Sequence, residues 1–193
     1  MNRDIVLAST SPRRKQLFEK VGLPFTCMES GYEEDMSLPL APVELAKHLS
    51  KGKAESAAKK CSDSLVIGAD TFIILDDHVL GKPHTHEKAR ETLHALSGRA
   101  HKIVTGFTII DTRSGESVSD AVTTTVHFKT LTDAEIDSYV ATGEPLDKAG
   151  SYAIQGKGRD LVDRIEGDFD NVVGLPVASV KAALMRLTTA HEI

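Results

Sequence analysis

The chain contains no tryptophan, three tyrosines and six phenylalanines in 193 residues. So few rings cannot readily build a platform on which the bases of a single strand stack in succession. A basic excess is also missing. Lys and Arg number 23 against 28 Asp and Glu, a formal charge of −5, which is the wrong sign for a general binder of nucleic-acid polymers. Cys27 and Cys61 are the only cysteines and neither belongs to a CxxC pair. They read as two reduced thiols, not as a disulfide framework or a thiolate metal site. No stretch approaches the ~18 apolar residues of a membrane span, and the run Ile5-Val6-Leu7-Ala8 is far shorter than the apolar region of a secretion signal. No glycine-rich run ends in Gly-Lys-Ser/Thr, and no nucleophile-elbow serine is present. Polymer binding, membrane insertion and a disulfide scaffold are therefore excluded, and a cytoplasmic location is expected.

What remains is ordinary globular material, 40% hydrophobic and 26% charged. A chain of this size buries about 70% of its unfolded surface. No linker divides it, so residues 1–193 read as one domain. Short apolar runs alternate with helical patterns, which predicts an α/β fold. Ile5 to Ala8 reads as a buried strand leading into a helix capped by Ser11 with Pro12 at its first position. Pro24 to Met28 reads as a second strand. Pro42 opens a longer helix with Val43, Ala46, Leu49 and Ala57 as its apolar stripe and Lys51, Lys53, Lys59 and Lys60 as charged positions. An apolar strand from Leu65 ends in Gly68-Ala69-Asp70-Thr71, with Phe72 to Leu75 continuing it and a hairpin turn at Asp76-Asp77. Thr85 caps a helix carrying Ala89, Leu93 and Leu96, and two long strands surround Ser114-Gly115. Thr132 and Glu135 form a capping box, Lys148 to Gly158 is a Gly-punctuated loop, and a last helix carries Val177, Val180, Leu184 and Leu187.

Several segments carry residue types suited to phosphate chemistry. Ser9-x-Ser11-Pro12-Arg13-Arg14 places two hydroxyls and two guanidiniums at a helix N-terminus, where free N–H groups and the dipole attract anions. Asp70, read at the end of an apolar strand, is placed to hold a divalent metal or activate a water. In the acidic run Glu33-Glu34-Asp35, a carboxylate from a separate segment could complete such a site. Lys53, Lys82 and Lys148 are single cations, Lys82 being held by Gly81 and Pro83. In Gly150-Ser151-Tyr152-Ala153-Ile154-Gln155-Gly156, the Gln155 amide can donate and accept, which suits the edge of a pyrimidine. His84-Thr85-His86 reads as a polar cap and not as a metal pair.

In order along the chain stand Leu7-Ala8-Ser9-x-Ser11-Pro12-Arg13-Arg14, Glu34, Lys53-Ala54, Gly68-Ala69-Asp70-Thr71, Gly81-Lys82-Pro83, Leu96-Ser97-Gly98, Lys148-Ala149-Gly150-x-Tyr152-x-Ile154-Gln155-Gly156 and Val173-Gly174-Leu175-Pro176. Together they resemble the Maf family of nucleoside triphosphate pyrophosphatases, from Ile5 to about Leu187. The resemblance implies an elongated mixed β-sheet with flanking helices and two lobes around a cleft, as in inosine triphosphate pyrophosphatases. It implies hydrolysis of dTTP and UTP, with modified pyrimidine nucleotides as a further substrate class, to the monophosphate and pyrophosphate with Mg²⁺ or Mn²⁺. Asp70 matches the family's catalytic acid, and Glu34 a second essential carboxylate, the two together holding the metal. Lys82 joins them as a catalytic residue. Ser9, Ser11, Arg13, Arg14 and Lys53 match phosphate-side positions, and Arg13, Thr71 and Gln155 match the residues that mark the dTTP/UTP branch. Ser151 and Ala153 depart from the residues common at those positions. A homodimer is expected, with a nucleoside triphosphate as the binding partner.

The chemistry so implied is in-line displacement at the α-phosphorus, with positioning and charge stabilisation supplying most of the rate. Two other readings use the same residues. One is a nucleotide-sensing regulator of septation acting through partner binding, an association the family name carries. The other is a phosphatase acting on sugar phosphates.

Overall fold

The computed structural model describes residues 3–189. In chain order the strands and α-helices are β1 (Asp4–Leu7), α1 (Pro12–Glu19), β2 (Thr26–Cys27), α2 (Pro42–Ala58), β3 (Ser64–Leu75), β4 (His78–Leu80), α3 (His86–Leu96), β5 (Ala100–Asp111), β6 (Ser117–Phe128), α4 (Asp133–Val140), β7 (Val162–Glu166), α5 (Phe169–Val173) and α6 (Val177–Thr189). The strand order is β2-β1-β3-β5-β6-β7, with β4 paired to β3. β1 runs parallel to both β2 and β3, whereas β3–β4 and β6–β7 are antiparallel. The fold is thus mixed α/β, as expected. Among the described residues no helix is long and apolar enough to cross a membrane.

The described residues divide into two compact units, one of residues 3–71, 105–122 and 174–189, the other of residues 72–104 and 123–173. In the first, β1 and the start of β3 pair from Asp4↔Ser64 to Leu7↔Ile67. Leu7, Phe18, Leu49, Leu65, Ile67, Leu175 and Leu184 are fully or almost fully buried there. Each such side chain contributes about 1.5–3 kcal/mol on leaving water. α2 lies unusually close to the strands beneath it. A Cβ placed on Gly68 would run into the backbone of Ser50 and Ala54, and one on Gly106 into the backbone of Ala46 and Lys47. Glycine in a strand interior is costly unless another backbone approaches, and here one does at both positions. Above the contact, Ser50, Thr108 and Ser119 form a hydroxyl chain with 2.9 Å steps. At the β1 end, Arg3 pairs with the buried Asp111 and with Asp63. The Arg3 guanidinium, against the opposing effect of burial, holds the Asp111 carboxyl far below the usual carboxylate range.

The second unit packs Leu93, Leu96, Phe128, Ile136 and Tyr152. His101, Phe128 and Tyr152 meet edge to face, with centroids 4.8–5.5 Å apart. His101 Nε2 lies 2.7 Å from the Tyr152 hydroxyl.

Four expectations need correction. Val43 is exposed, and Leu45 takes its place in the buried face of α2, because that face is set by the close strand contact. Lys53, read as one of a set of charged positions, is buried. The strand expected over residues 24–28 shortens to Thr26–Cys27. Asp70 lies inside a continuous twelve-residue strand and not at its C-terminal end, since β4 extends the pairing of β3 through Leu75. β7 and α5 had no periodic signal in the sequence and were not anticipated.

Gly106→Ala should destabilise the protein by roughly 1–3 kcal/mol, since the new methyl meets backbone that cannot swing away. Denaturant unfolding midpoints check this. A second expectation concerns pH. Burial, aided by His127, lowers the His101 pKa from 6.5 to about 4. The folded state keeps the ring neutral, so its contribution to stability is complete above pH 6.5. It is lost as the pH falls from 6.5 toward 4, where the unfolded chain takes up a proton that the folded chain refuses. The full loss amounts to about 3 kcal/mol. Unfolding free energies across pH 4–7 should show this slope in the wild type and a flatter one in His101→Gln.

Candidate active site

The first unit gathers most of the expected phosphate-side residues. β1 ends just before Ser9, and the chain turns into α1 at Ser11, an N-cap with extended backbone (φ −68°, ψ 117°). The Ser11 hydroxyl accepts the Arg14 N–H at 3.5 Å, and the Ser9 hydroxyl accepts the Ser11 N–H at 3.2 Å. Each oxygen is engaged as an acceptor, which leaves each O–H to donate to an anion at the helix start.

Arg13 projects into solvent from the first turn of α1, whereas Arg14 is drawn in. Arg14 Nε donates to the Gly174 carbonyl at 2.9 Å and Nη2 to Thr71 Oγ1 at 3.0 Å. Burial lowers the Arg14 pKa, offset in part by Asp70 and Glu34, so both carboxylates act on it electrostatically. Arg14 nevertheless remains a cation at any physiological pH. Thr71 Oγ1 also lies 2.9 Å from Thr105 Oγ1 and donates to Gly174 at 3.3 Å. The resemblance grouped Thr71 with Arg13; of the two neighbouring arginines it is Arg14 that bonds to Thr71. Thr105 and Gly174 were not singled out from sequence for this network. The available signal was Gly106, a glycine inside a strand beside Thr105.

The centre of the site is Lys53. α2 carries it, only 8% exposed, to Asp70 on β3, only 6% exposed. Lys53 Nζ pairs with Asp70 Oδ1 and, at 2.6 Å, with Glu34 Oε1. Of the two neighbouring glutamates it is Glu34 that reaches Lys53. The loop bearing it is docked through Tyr32, whose ring occupies the space a Cβ on Gly52 would need, and through the Ser56 hydroxyl, which donates to the Ser30 carbonyl at 2.6 Å. Gly52, a weak residue for the middle of a helix, is the seat of that contact.

Two carboxylates that share one ammonium lie close enough to share one cation. Among the described residues no group of three or more His, Cys, Asp or Glu side chains could form a complete metal cage. Two carboxylate oxygens are hard donors of the kind Mg²⁺ and Mn²⁺ take. Asp70 and Glu34 therefore fit such an ion. The charges of Lys53, Arg14, Glu34 and Asp70 cancel, so these four alone offer a polyanion no net attraction.

In the second unit Lys82 is exposed beside the buried Pro83. Gly81, just before it, accepts the Gly150 N–H at 3.1 Å. Gln155 is exposed, flanked by the buried Ile154. Lys148 pairs with Asp147 at 2.6 Å.

A fold of this kind occurs in Ham1 proteins. The structure from Staphylococcus aureus superposes with a TM-score of 0.53 at 15% identity, covering 95% of this chain and 99% of that one. That of a HAM1 protein from Coxiella burnetii gives 0.51 at 13% identity, with the same coverage. The model of the family described as Maf-like protein matches residues 4–187, and the chain belongs to that family. A dTTP/UTP pyrophosphatase of Methanosarcina mazei is 47% identical over 186 residues, 96% of this chain and 94% of its own. One from a Thermoanaerobacter species is 48% identical over 183 residues, 94% of this chain and 95% of its own.

Lys53→Met should cost about 3–5 kcal/mol, because it leaves the buried Asp70 without its counter-charge. Added Mn²⁺ should then raise the melting temperature of the variant more than that of the wild type. An equal rise in both would show that the two carboxylates do not share a cation site.

Proposed function

We propose that the protein hydrolyses dTTP and UTP between the α- and β-phosphates, releasing pyrophosphate. The observation that carries this reading is the buried Lys53–Asp70 pair, joined by the exposed Glu34, beside Arg14 and the start of α1. It combines oxygen donors for a divalent ion with donors for phosphate, in a family whose relatives are named for this reaction.

Mg²⁺ or Mn²⁺, when bound at Asp70 and Glu34, supplies Lewis acidity and the positive charge that the balanced side chains lack. Asp70 accepts the proton of the attacking water at its carboxylate. Lys53, released from its carboxylates, moves its ammonium toward phosphate oxygens. The Ser9 and Ser11 hydroxyls and the N-terminus of α1 orient the phosphates, and Arg13 adds an exposed cation at the same turn. Arg14 holds Thr71 and Gly174 and contributes its field. Lys82 is a further cation for the leaving pyrophosphate. The Gln155 amide selects the pyrimidine edge by donating one hydrogen bond and accepting another. The Thr71 hydroxyl, already engaged three ways, contributes to selection by exchanging one of those partners.

Asp70→Asn should keep the fold and lose at least a hundredfold in kcat, about 2.7 kcal/mol of barrier. A panel of nucleoside triphosphates with Mg²⁺ or Mn²⁺, scored for pyrophosphate and orthophosphate, tests the rest. dTTP and UTP should exceed GTP and ATP, and pyrophosphate should be the product. Release of orthophosphate, or an Asp70→Asn protein within threefold of wild type, would overturn the assignment.

A further inference from the structure

Gln155 sits at the tip of a turn closed by the Gly156 N–H donating to the Ala153 carbonyl at 3.1 Å. Ile154 is buried and Gln155 exposed, so the turn has one anchored side and one presented side. Both ends of the turn are tied to the same pair of side chains from another segment. Ahead of Gln155, the Ala153 N–H donates to the Tyr139 hydroxyl at 3.2 Å. Behind it, the Lys157 and Gly158 N–H groups donate to the two oxygens of Glu144, at 3.1 and 3.0 Å. The Tyr139 hydroxyl in turn donates to Glu144 Oε1 at 2.8 Å, which closes the network. Glycine at 156 is a spatial requirement. A Cβ there would collide with the Glu144 carboxylate, although the backbone itself (φ −111°) would tolerate any residue.

The protonation states suit this arrangement. Burial and the bond to Glu144 push the Tyr139 hydroxyl well above its ordinary value, so it stays a donor. Burial opposes ionisation of Glu144, but the Gly158 N–H, the Tyr139 hydroxyl, the Lys157 N–H and Lys148 outweigh it and hold the carboxyl below its usual range. A carboxylate collecting three hydrogen bonds is a strong local anchor. None of these groups is a catalytic residue: the network is spent on backbone, on each side of one exposed amide. A polar group discriminates between ligands only when it is held in place before binding, since otherwise its ordering is charged against affinity.

We infer that Glu144 and Tyr139, with the space left by Gly156, are positioning residues that preset the Gln155 amide and so set the preference for pyrimidine bases. This rests on the reading of Gln155 given under Proposed function.

The test compares Tyr139→Phe, Glu144→Gln and Gly156→Ala with wild type on dTTP, UTP and GTP, with melting curves to establish that each is folded. Tyr139→Phe removes one oxygen, and Gly156→Ala removes no polar group at all, so the test survives if Glu144→Gln fails to fold. The expected result is a KM for dTTP and UTP raised about tenfold, kcat within threefold, and a preference over GTP reduced by a similar factor. In a Gln155→Ala background, Tyr139→Phe should change the preference no further. Folded variants with wild-type preference would overturn the inference, as would an equal loss of kcat on all three nucleotides. The wild type, measured first, separates the two claims: without any pyrimidine preference there, the reading of Gln155 fails and takes this inference with it.

Discussion

The close approach of α2 to the strands beneath it is the constraint on which the first unit depends. Side chains normally keep a helix and a sheet apart. At Gly68 and Gly106 there are none, and the backbones of Ala46, Ser50 and Ala54 settle into the gap. That approach puts Lys53, one residue before Ala54, against Asp70, two residues after Gly68. A lysine on a more distant helix would extend to water, where its ammonium is better solvated. Here it is only 8% exposed and must find its counter-charges within the protein.

The consequence is an electrostatic balance that suits a regulated affinity for polyanions. Two cations and two carboxylates, partly withdrawn from water, neutralise one another, so none of the four is left without a counter-charge. A divalent ion held by the two carboxylates would change that balance, since it would compete with Lys53 for them and add positive charge. Net charge of the whole chain is irrelevant to this. A protein at −5 can hold a triphosphate if its local field is arranged for one.

The second unit solves a different problem by the same use of glycine. Gly156 makes room for a carboxylate as Gly106 makes room for a helix. Gly150, in the left-handed region at φ +65°, sits against Ile73 and lets its N–H reach Gly81. Rigidity in this loop comes from side chains of α4 and the turn after it, tied to backbone N–H groups that would otherwise be satisfied by water.

Sequence alone determined the periodic elements and the chemistry of the candidates. α3 and α4 announced themselves by a threonine cap and a capping box, both present as read, and α6 buries each apolar position expected of it. Ser9, Ser11, Arg14 and Asp70 stood out as candidates by residue type and position, whereas Glu34 and Lys53 were candidates chiefly through the family resemblance. Only the tertiary structure decided which of them meet. The exposure of Val43, the burial of Lys53, and the bonding of Thr71 to Arg14 all follow from contacts between segments 17 to 160 residues apart, which no local pattern encodes. Glu144 and Tyr139 escaped notice for the same reason. On sequence they are an acid before a proline and a core aromatic, and their common task arises only where the chain returns to them.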